Sequence, residues 1–564
     1  MSNENAGNPD VLNFPRDTTL KETNLLFREL IQVQKKANNL DVLSLLDGTA
    51  ATYYKVMKKW FDDHIGWPIS LTALTELWYK ESRAAWHGYT DFLYTGASAG
   101  TKGGDNANLT CTPSTNDTAN TDDYAGLPLF APIDCNWTIN PDTLEPVITA
   151  IKGIAGNYEN TNVERFVGVL QQSAWVYQVE GAESWRFGYS SELVTGVGAE
   201  PLPEAVKVDG SMRQFVLHYK YFDGKVVDGK WQGCAGLVPT AYTISHNTAH
   251  TISAATGTGF SGTCYCDVDF LRKMMMIKYA SLTLDGILQG CVANNVSAVA
   301  AKSETGVKRV LIASPNTDFV VGMTVQVGAG NGRNATGYNI SGPDGYVITA
   351  VETVTVDSTD YVAVYLDAAT AFDVTAAETY ITSWHWRTGT CDNVKGNDGS
   401  PASPGSGKYP AKLQGLEFMH GAYMALSDTI VNYTSEDGTY YVQMFFANRA
   451  ANQSTAITAY YKESGVKLVQ PVSAGWLYMK HMKLKHGVFM PAEFGGSSST
   501  YYKDPVYVLA AMVGVRESLV FGYLGIGAAG GGVGYAGWDL APGYANCYIA
   551  GGPSPNGNRG EWVA

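Results

Sequence analysis

The chain has 564 residues, of which 45% are hydrophobic, 12% aromatic and only 16% charged, with 61 glycines, 34 tyrosines and a formal net charge of −14. That length exceeds one ordinary domain. The acidic balance, with no Lys/Arg block beyond pairs such as Lys35-Lys36 and Lys58-Lys59, argues against nucleic acid bound through its phosphates. A charged fraction well below the roughly 25% usual in soluble domains, with so many glycines and tyrosines, suggests turn-rich β structure and an aromatic, polar-tipped surface.

The opening MSNENAGNPDVLNFPRD has neither a basic start nor an apolar core, so no cleavable signal peptide is expected. No apolar run approaches the roughly 20 residues a bilayer span requires; the richest, Val506 to Val515, is stopped by Arg516-Glu517. Thr19-x-x-Glu22 has the form of a capping box and opens an apolar series from Leu25 to Leu46, predicting a helix that Asp47-Gly48 ends. Further helices are predicted at 53–61 and 71–85. Such a layer either trimerises or docks on a larger assembly, or caps its own domain. From Gly96 to about Asn140 the chain is Gly/Asn/Thr-rich and reads as a surface excursion with too few apolar residues for a core. Aromatic-rich strand patterns follow over 163–240, as in FVGVL at 166–170 and QFVLHY at 214–219.

A helix is predicted over 267–290, capped by Asp267 or Asp269, with Leu271, Met274, Met275, Leu282 and Ile287 as its buried stripe. Its three consecutive methionines fit core packing better than a metal site. Four or five short strands between turns (KRVLIA, FVVGMTVQVG, GYVITAVETVTV, YVAVYL) predict a small β-barrel or sandwich inserted at 307–383. KLQGLEFMHGAYMALSDTIVNY reads as strand, turn and helix. Short aromatic strands and a glycine-rich tail close the chain. The fold class expected is α+β: a helical attachment region with its polar loop (1–140), a β-rich region (141–240), and a further domain of 241–306 with 384–564 interrupted by the 307–383 module.

Little in the sequence points to catalysis. The eight cysteines are scattered without a CxxC pair, so buried thiols are expected. His246 and His250 stand four apart, but without an HExxH glutamate and in a Ser/Thr/Asn-rich stretch that reads as strand or loop, so no metal is assigned. There is no G-x-S-x-G elbow. The formal G-x-G-x-x-G at Gly525 opens no helix. Asp267, Asp269 or Glu417 could form the carboxylate pair of a glycosidase, or serve as caps and hydrogen-bond acceptors. The informative element is the tail RESLVFGYLGIGAAGGGVGYAGWDLAPGYANCYIAGGP. Its glycines permit unusual backbone turns. Between them Tyr523, Ile526, Val533, Tyr535, Trp538, Asp539, Tyr544, Asn546 and Tyr548 offer broad contact area at low entropy cost, if the rings face outward rather than into a closing sheet.

Three patches resemble the variable proteins of diversity-generating retroelements in tailed phages of gut bacteria: DFLRKMMMIKYAS, then WRTGTCDNVKGNDGSP with KLQGLEFMHGAY, then RESLVFGYLGIG…GYAGW. The likeness covers nearly half the chain. Ser518 stands where that family often has Trp, Tyr523 where it has Gly, and CYIAGGP with PNGNRGEW replaces its usual ending. The resemblance implies a C-type-lectin fold of the formylglycine-enzyme-like branch at the C-terminus, interrupted by the inserted module. It also implies a homotrimeric adhesin on the virion tail or capsid that contacts other virion proteins and binds a bacterial surface receptor, protein or glycan. The ligand-binding, diversified positions it implies are Tyr523, Ile526, Ala528, Ala529, Val533, Tyr535, Trp538, Asp539, Tyr544, Asn546 and Tyr548. No cofactor, metal, nucleic acid or membrane insertion is expected, since Cys547 lacks a neighbouring partner for oxidase chemistry and the tail lacks a calcium cage. The alternatives are a tail-associated polysaccharide-degrading enzyme and a purely structural virion protein.

Overall fold

The computed structural model describes residues 50–527 and 531–560; the helix expected from Thr19 to Leu46 lies outside them. The described residues are β-rich, with 38% strand, 12% helix and four helices among them. None of these helices is long and apolar enough to cross a membrane.

The first two helices, Ala50–His64 and Leu71–Glu81, form because apolar residues recur at helical spacing and Ser70 caps the second by accepting from Ala73 N at 3.1 Å. Tyr53, Met57, Trp60 and Phe61 bury one face against Leu74, Trp78 and Tyr79. Each buried indole finds a partner, Trp60 Nε1 on Glu81 Oε2 and Trp78 Nε1 on the Tyr53 hydroxyl, both at 3.0 Å. The helices share a core with an antiparallel four-stranded sheet ordered Pro146–Ile151, Ile133–Ile139, Phe166–Gln172, Phe215–Tyr219. A five-stranded sheet holds His87–Leu93 beside Ser184–Ser190. Strands from before residue 140 thus pair with strands from after it in both sheets.

At the centre, every residue of the helix Tyr265–Lys278 is buried, its three methionines packed in the main core. The Asp267 carboxylate caps it, accepting from Cys264 N at 3.1 Å. The helix stops at Lys278, not at 290. The excursion from Gly96 supplies the reason, and it is more than a surface loop. Asn106 Nδ2 donates to Ile277 O at 2.9 Å and Lys102 Nζ to Lys278 O at 2.6 Å, satisfying carbonyls a helix end leaves open. Gly100 N then takes Ala280 O at 2.7 Å, and Ala280 turns to a φ of 47° that no helix continues.

Buried charges around this helix are paired. His218 lies between Asp267 (3.0 Å) and Glu204 (3.5 Å), and His420 between Asp223 (2.7 Å) and Glu417 (2.6 Å). Burial alone would lower both imidazoles, but the hydrogen bonds to flanking carboxylates override it and raise each to about 9.

Strands between Ser297 and Ser383 form a separate six-stranded antiparallel sheet with its own core of Val310, Ile312, Val325, Val327, Val364 and Ile381. The C-terminal sheet runs Tyr461–Val469, Thr439–Ala447, Tyr423–Glu436, Gly514–Phe521, Gly532–Gly537, Pro505–Val508, Gly475–Lys485, Val488–Phe494, and its ends curl round until it is nearly a closed barrel. Tyr423–Glu436 is a strand, where the stretch KLQGLEFMHGAYMALSDTIVNY was expected to end in a helix. YMALSDTIVNY is covered on both faces, and such an apolar run carries no period to separate strand from buried helix. The stretch 549–560 is wholly buried: Asn556 Nδ2 donates to Asp267 Oδ1 at 2.7 Å, and the Arg559 guanidinium pairs with Asp428 at 2.8 Å.

Candidate functional site

Across the C-terminal sheet the strand order brings six aromatic rings into one continuous row. Tyr507 meets Trp476 edge-on at 4.9 Å, and Trp476 meets Tyr535 at 5.2 Å. Tyr535 stacks on Tyr423 at 5.5 Å with the two hydroxyls 3.0 Å apart. Tyr423 packs on Tyr523 at 5.2 Å, and Tyr523 on Tyr548 at 4.4 Å. These spacings are those at which ring pairs add to simple burial. Antiparallel pairing of Trp476 with Tyr507, and parallel pairing of Tyr423 with Ile549 next to Tyr548, set residues distant in sequence side by side.

The far end of the row is closed by the inserted module. Arg333, in the loop GNGRNATG, sits with its guanidinium 5.6 Å from the Tyr548 ring centre and donates to the Tyr548 hydroxyl at 3.1 Å. Bonds to Ser383 O at 3.0 Å and to the Asn295 side chain hold it there. The row therefore ends in a fixed cation next to partly exposed phenols.

Exposure along the row is uneven. Trp476 is 42% exposed and Tyr544, on the turn after the last long strand, 45%. Tyr423, Tyr507, Tyr523 and Tyr548 are half-buried. Val533, Tyr535 and Trp538 have at most 1% of their surface accessible, so the expectation that these three project outward is corrected. The reason is what covers them: Tyr535 packs against the Tyr423 and Trp476 rings, and Val533 and Trp538 lie in the main core, while Gly532–Gly537 itself is an inner strand between Gly514–Phe521 and Pro505–Val508. Trp538 Nε1 donates to Ser518 Oγ at 3.2 Å, and the Trp538 carbonyl accepts from the Tyr433 hydroxyl at 2.9 Å. Of the remaining expected positions, Ile526, Asp539 and Asn546 are half-buried, while Ala528 and Ala529 lie outside the described residues. Asn546 Oδ1 accepts from Tyr548 N at 2.7 Å and so shapes the backbone beneath that ring.

The glycines of the tail serve close approach here. A Cβ on Gly532 would stand 2.1 Å from Asp504 Oδ1, and one on Gly534 2.7 Å from Asp504 Oδ2. Asp504 accepts from Gly534 N at 2.9 Å, and burial pushes its carboxyl up to about 7. Burial likewise raises the Tyr423 and Tyr535 phenols, which remain neutral donor–acceptors at physiological pH. The surface offers ring faces, phenolic hydroxyls and one guanidinium.

No family model and no curated protein matches this chain.

Other candidates of the sequence reading have internal duties. Asp267, Asp269 and Glu417 are buried, and each is bound to a basic side chain: His218, Arg272 with Lys273, and His420. His246 and His250 lie on the helix His246–Thr256, not on a strand or loop, because Ser245 and Thr248 form a reciprocal cap. Their ring nitrogens meet the carbonyls of Leu426, Ser454 and Ser427 at 2.7–3.0 Å. Among the described residues one cluster, Cys111, Asp122 and Asp398, has cation-binding spacing, and the Lys278 ammonium already lies 2.8 Å from Asp398 and 3.4 Å from Asp122. Seven cysteines are buried thiols and Cys547 is half-buried.

Sequence reasoning missed Tyr423, Trp476, Tyr507 and Arg333. Tyr423 stands at the end of KLQGLEFMHGAY, and Trp476 is the second residue of the strand Gly475–Lys485. No local signal marks Arg333, which is 215 positions from Tyr548.

Proposed function

We propose that this chain is a receptor-binding protein of a phage virion, a diversity-generating retroelement variable protein whose C-terminal part is C-type-lectin-like. It acts without a cofactor, as a homotrimer set among other virion proteins at the tail or capsid surface. Its partner is a protein or glycan on the bacterial surface, with no nucleic acid and no membrane insertion involved.

The observation that carries this reading is the row of six rings from Tyr507 to Tyr548, closed by Arg333, with Trp476 exposed beside Tyr507 and Tyr544 on the turn after the last long strand. Exposed aromatics beside an arginine on a rigid frame are the side chains that dominate binding hot spots. In this reading Tyr535 and Trp538 are scaffold. Trp476, Tyr507, Tyr523, Ile526, Asp539, Tyr544, Asn546 and Tyr548 form the contact surface, and weak single contacts are multiplied across copies in the particle.

The test uses flow cytometry of labelled protein on a panel of gut bacterial isolates. The double variant Trp476→Ala/Tyr544→Ala should lose binding by about tenfold per ring while keeping its thermal midpoint. Undiminished binding would refute the assignment. Sequencing of the tail codons across a particle population tests diversification separately: substitutions should cluster at positions such as 523, 544, 546 and 548, and an invariant tail rules it out.

A further inference from the structure

A cavity far from the aromatic row in composition lies where the helix Ala50–His64, the strand Ile133–Ile139, the loop after Cys391 and the hairpin Ala411–Phe418 meet. It encloses about 330 Å³, and none of its lining residues belongs to the aromatic row. Four lysines line it, Lys152, Lys220, Lys395 and Lys412, against two aspartates, Asp134 and Asp392.

The charges divide unequally. Lys220 is buried and fully compensated, 2.9 Å from Asp134 Oδ2 and 2.7 Å from Asp392 Oδ1, and Lys152 shares the same Asp134 oxygen at 3.0 Å. The other two ammonium groups rest on carbonyls: Lys395 on Asp117 O at 2.6 Å, and Lys412 on Val394 O at 3.1 Å. Lys412 is only 7% exposed, and among the described residues no carboxylate pairs with it. A buried ammonium without counter-charge is costly, and burial accordingly lowers the Lys412 amine below its usual range. Among the described residues the other buried lysines and arginines are paired with carboxylates, as at Lys278, Arg272 and Arg559. In a protein of net charge −14, an open cavity holding two excess positive charges is a place for an anion.

The volume narrows the class. At about 30 Å³ per water, 330 Å³ holds on the order of ten waters, more than a free phosphate needs and close to the lower bound for small-ligand pockets. Asn397 adds one further polar side chain and Tyr54 one aromatic ring, beside Pro132, Ile133, Val394 and two glycines. We propose that this cavity binds an anionic hexose, its carboxylate or phosphate held by Lys412 and Lys395. The site is independent of the aromatic row.

Isothermal titration calorimetry on the full chain at pH 7 tests it, with glucuronate and glucose 6-phosphate as probes and glucose and inorganic phosphate as controls. One of the two anionic sugars should bind saturably, glucose should not, and the responding sugar identifies the anion. Lys412→Gln should weaken binding about tenfold or more, the worth of a charge-assisted contact, whereas Trp476→Ala should leave it unchanged. Should Lys412→Gln fail to fold, the exposed Lys395→Ser supplies the same comparison. No heat with either sugar, inorganic phosphate binding as tightly as the better sugar, or equal affinity after both lysine substitutions overturns the proposal.

Discussion

The strand Gly532–Gly537 and the turn around Tyr544 belong to one glycine-rich tail and carry the same residue types, yet their rings have opposite fates. Tyr535 and the adjoining Trp538 are sealed, while Tyr544 is 45% exposed. Both segments carry glycine and tyrosine, GVGYAG in the strand and LAPGYANCY in the turn, so the presence of these two residue types does not decide a ring's fate. The difference lies in what covers each ring: Tyr535 packs against the Tyr423 and Trp476 rings and Trp538 lies in the main core, whereas the 540–548 turn has left the sheet. Glycine here permits close approach as readily as it permits display, and Asp504 beneath Gly532 and Gly534 is the example.

The comparison breaks if the two classes of ring respond alike. Trp538→Ala should cost about 3–5 kcal/mol, read by urea unfolding at pH 7. A loss below about 1 kcal/mol would mean the indole is not sealed. Next in size is a pH effect in the core beneath. His218 and His420 have imidazoles raised from 6.5 to about 9, so their contribution is complete below pH 6.5 and is lost as pH rises toward about 9. His420→Gln should flatten unfolding free energy across that window, and an unaltered slope would show that the imidazolium is absent. Asp504 acts in the same direction over a lower range: a carboxyl raised to about 7 makes folding less favourable as pH climbs from about 4 to about 7. Asp504→Asn should remove that part of the slope, provided its amide still accepts from Gly534 N. Smaller still, Tyr535→Phe deletes one partner of the hydroxyl pair with Tyr423 and should cost about 1 kcal/mol. Tyr544→Ala should change stability by no more than about 0.5 kcal/mol, so that any loss of binding it causes is a loss of contact.

Several elements were legible before any coordinates. The helices Ala50–His64 and Leu71–Glu81 were expected at 53–61 and 71–85, because the signals that start such helices are local. The helix start near Asp267 was legible for the same reason. Its end was not, because the groups that terminate it, Asn106 and Lys102, come from about 170 residues upstream. Tyr423–Glu436 misled because a strand covered on both faces loses the alternation that identifies strands. His246 and His250 misled in the opposite sense: a reciprocal Ser245–Thr248 cap sufficed to start a helix in a stretch of weak helix formers.

The amino-acid order alone determined that the C-terminal tail would be a glycine-rich frame studded with rings, since glycine's conformational freedom and tyrosine's bulk are properties of single residues. Which rings face solvent, and which partners they meet, was decided only when strands far apart in sequence paired. That pairing sealed Tyr535 and Trp538, placed Trp476 and Tyr423 beside the tail, and carried Arg333 from the inserted module onto Tyr548. Burial is a relation between segments, and the period-2 geometry of a strand assigns side chains to two faces without saying what covers either.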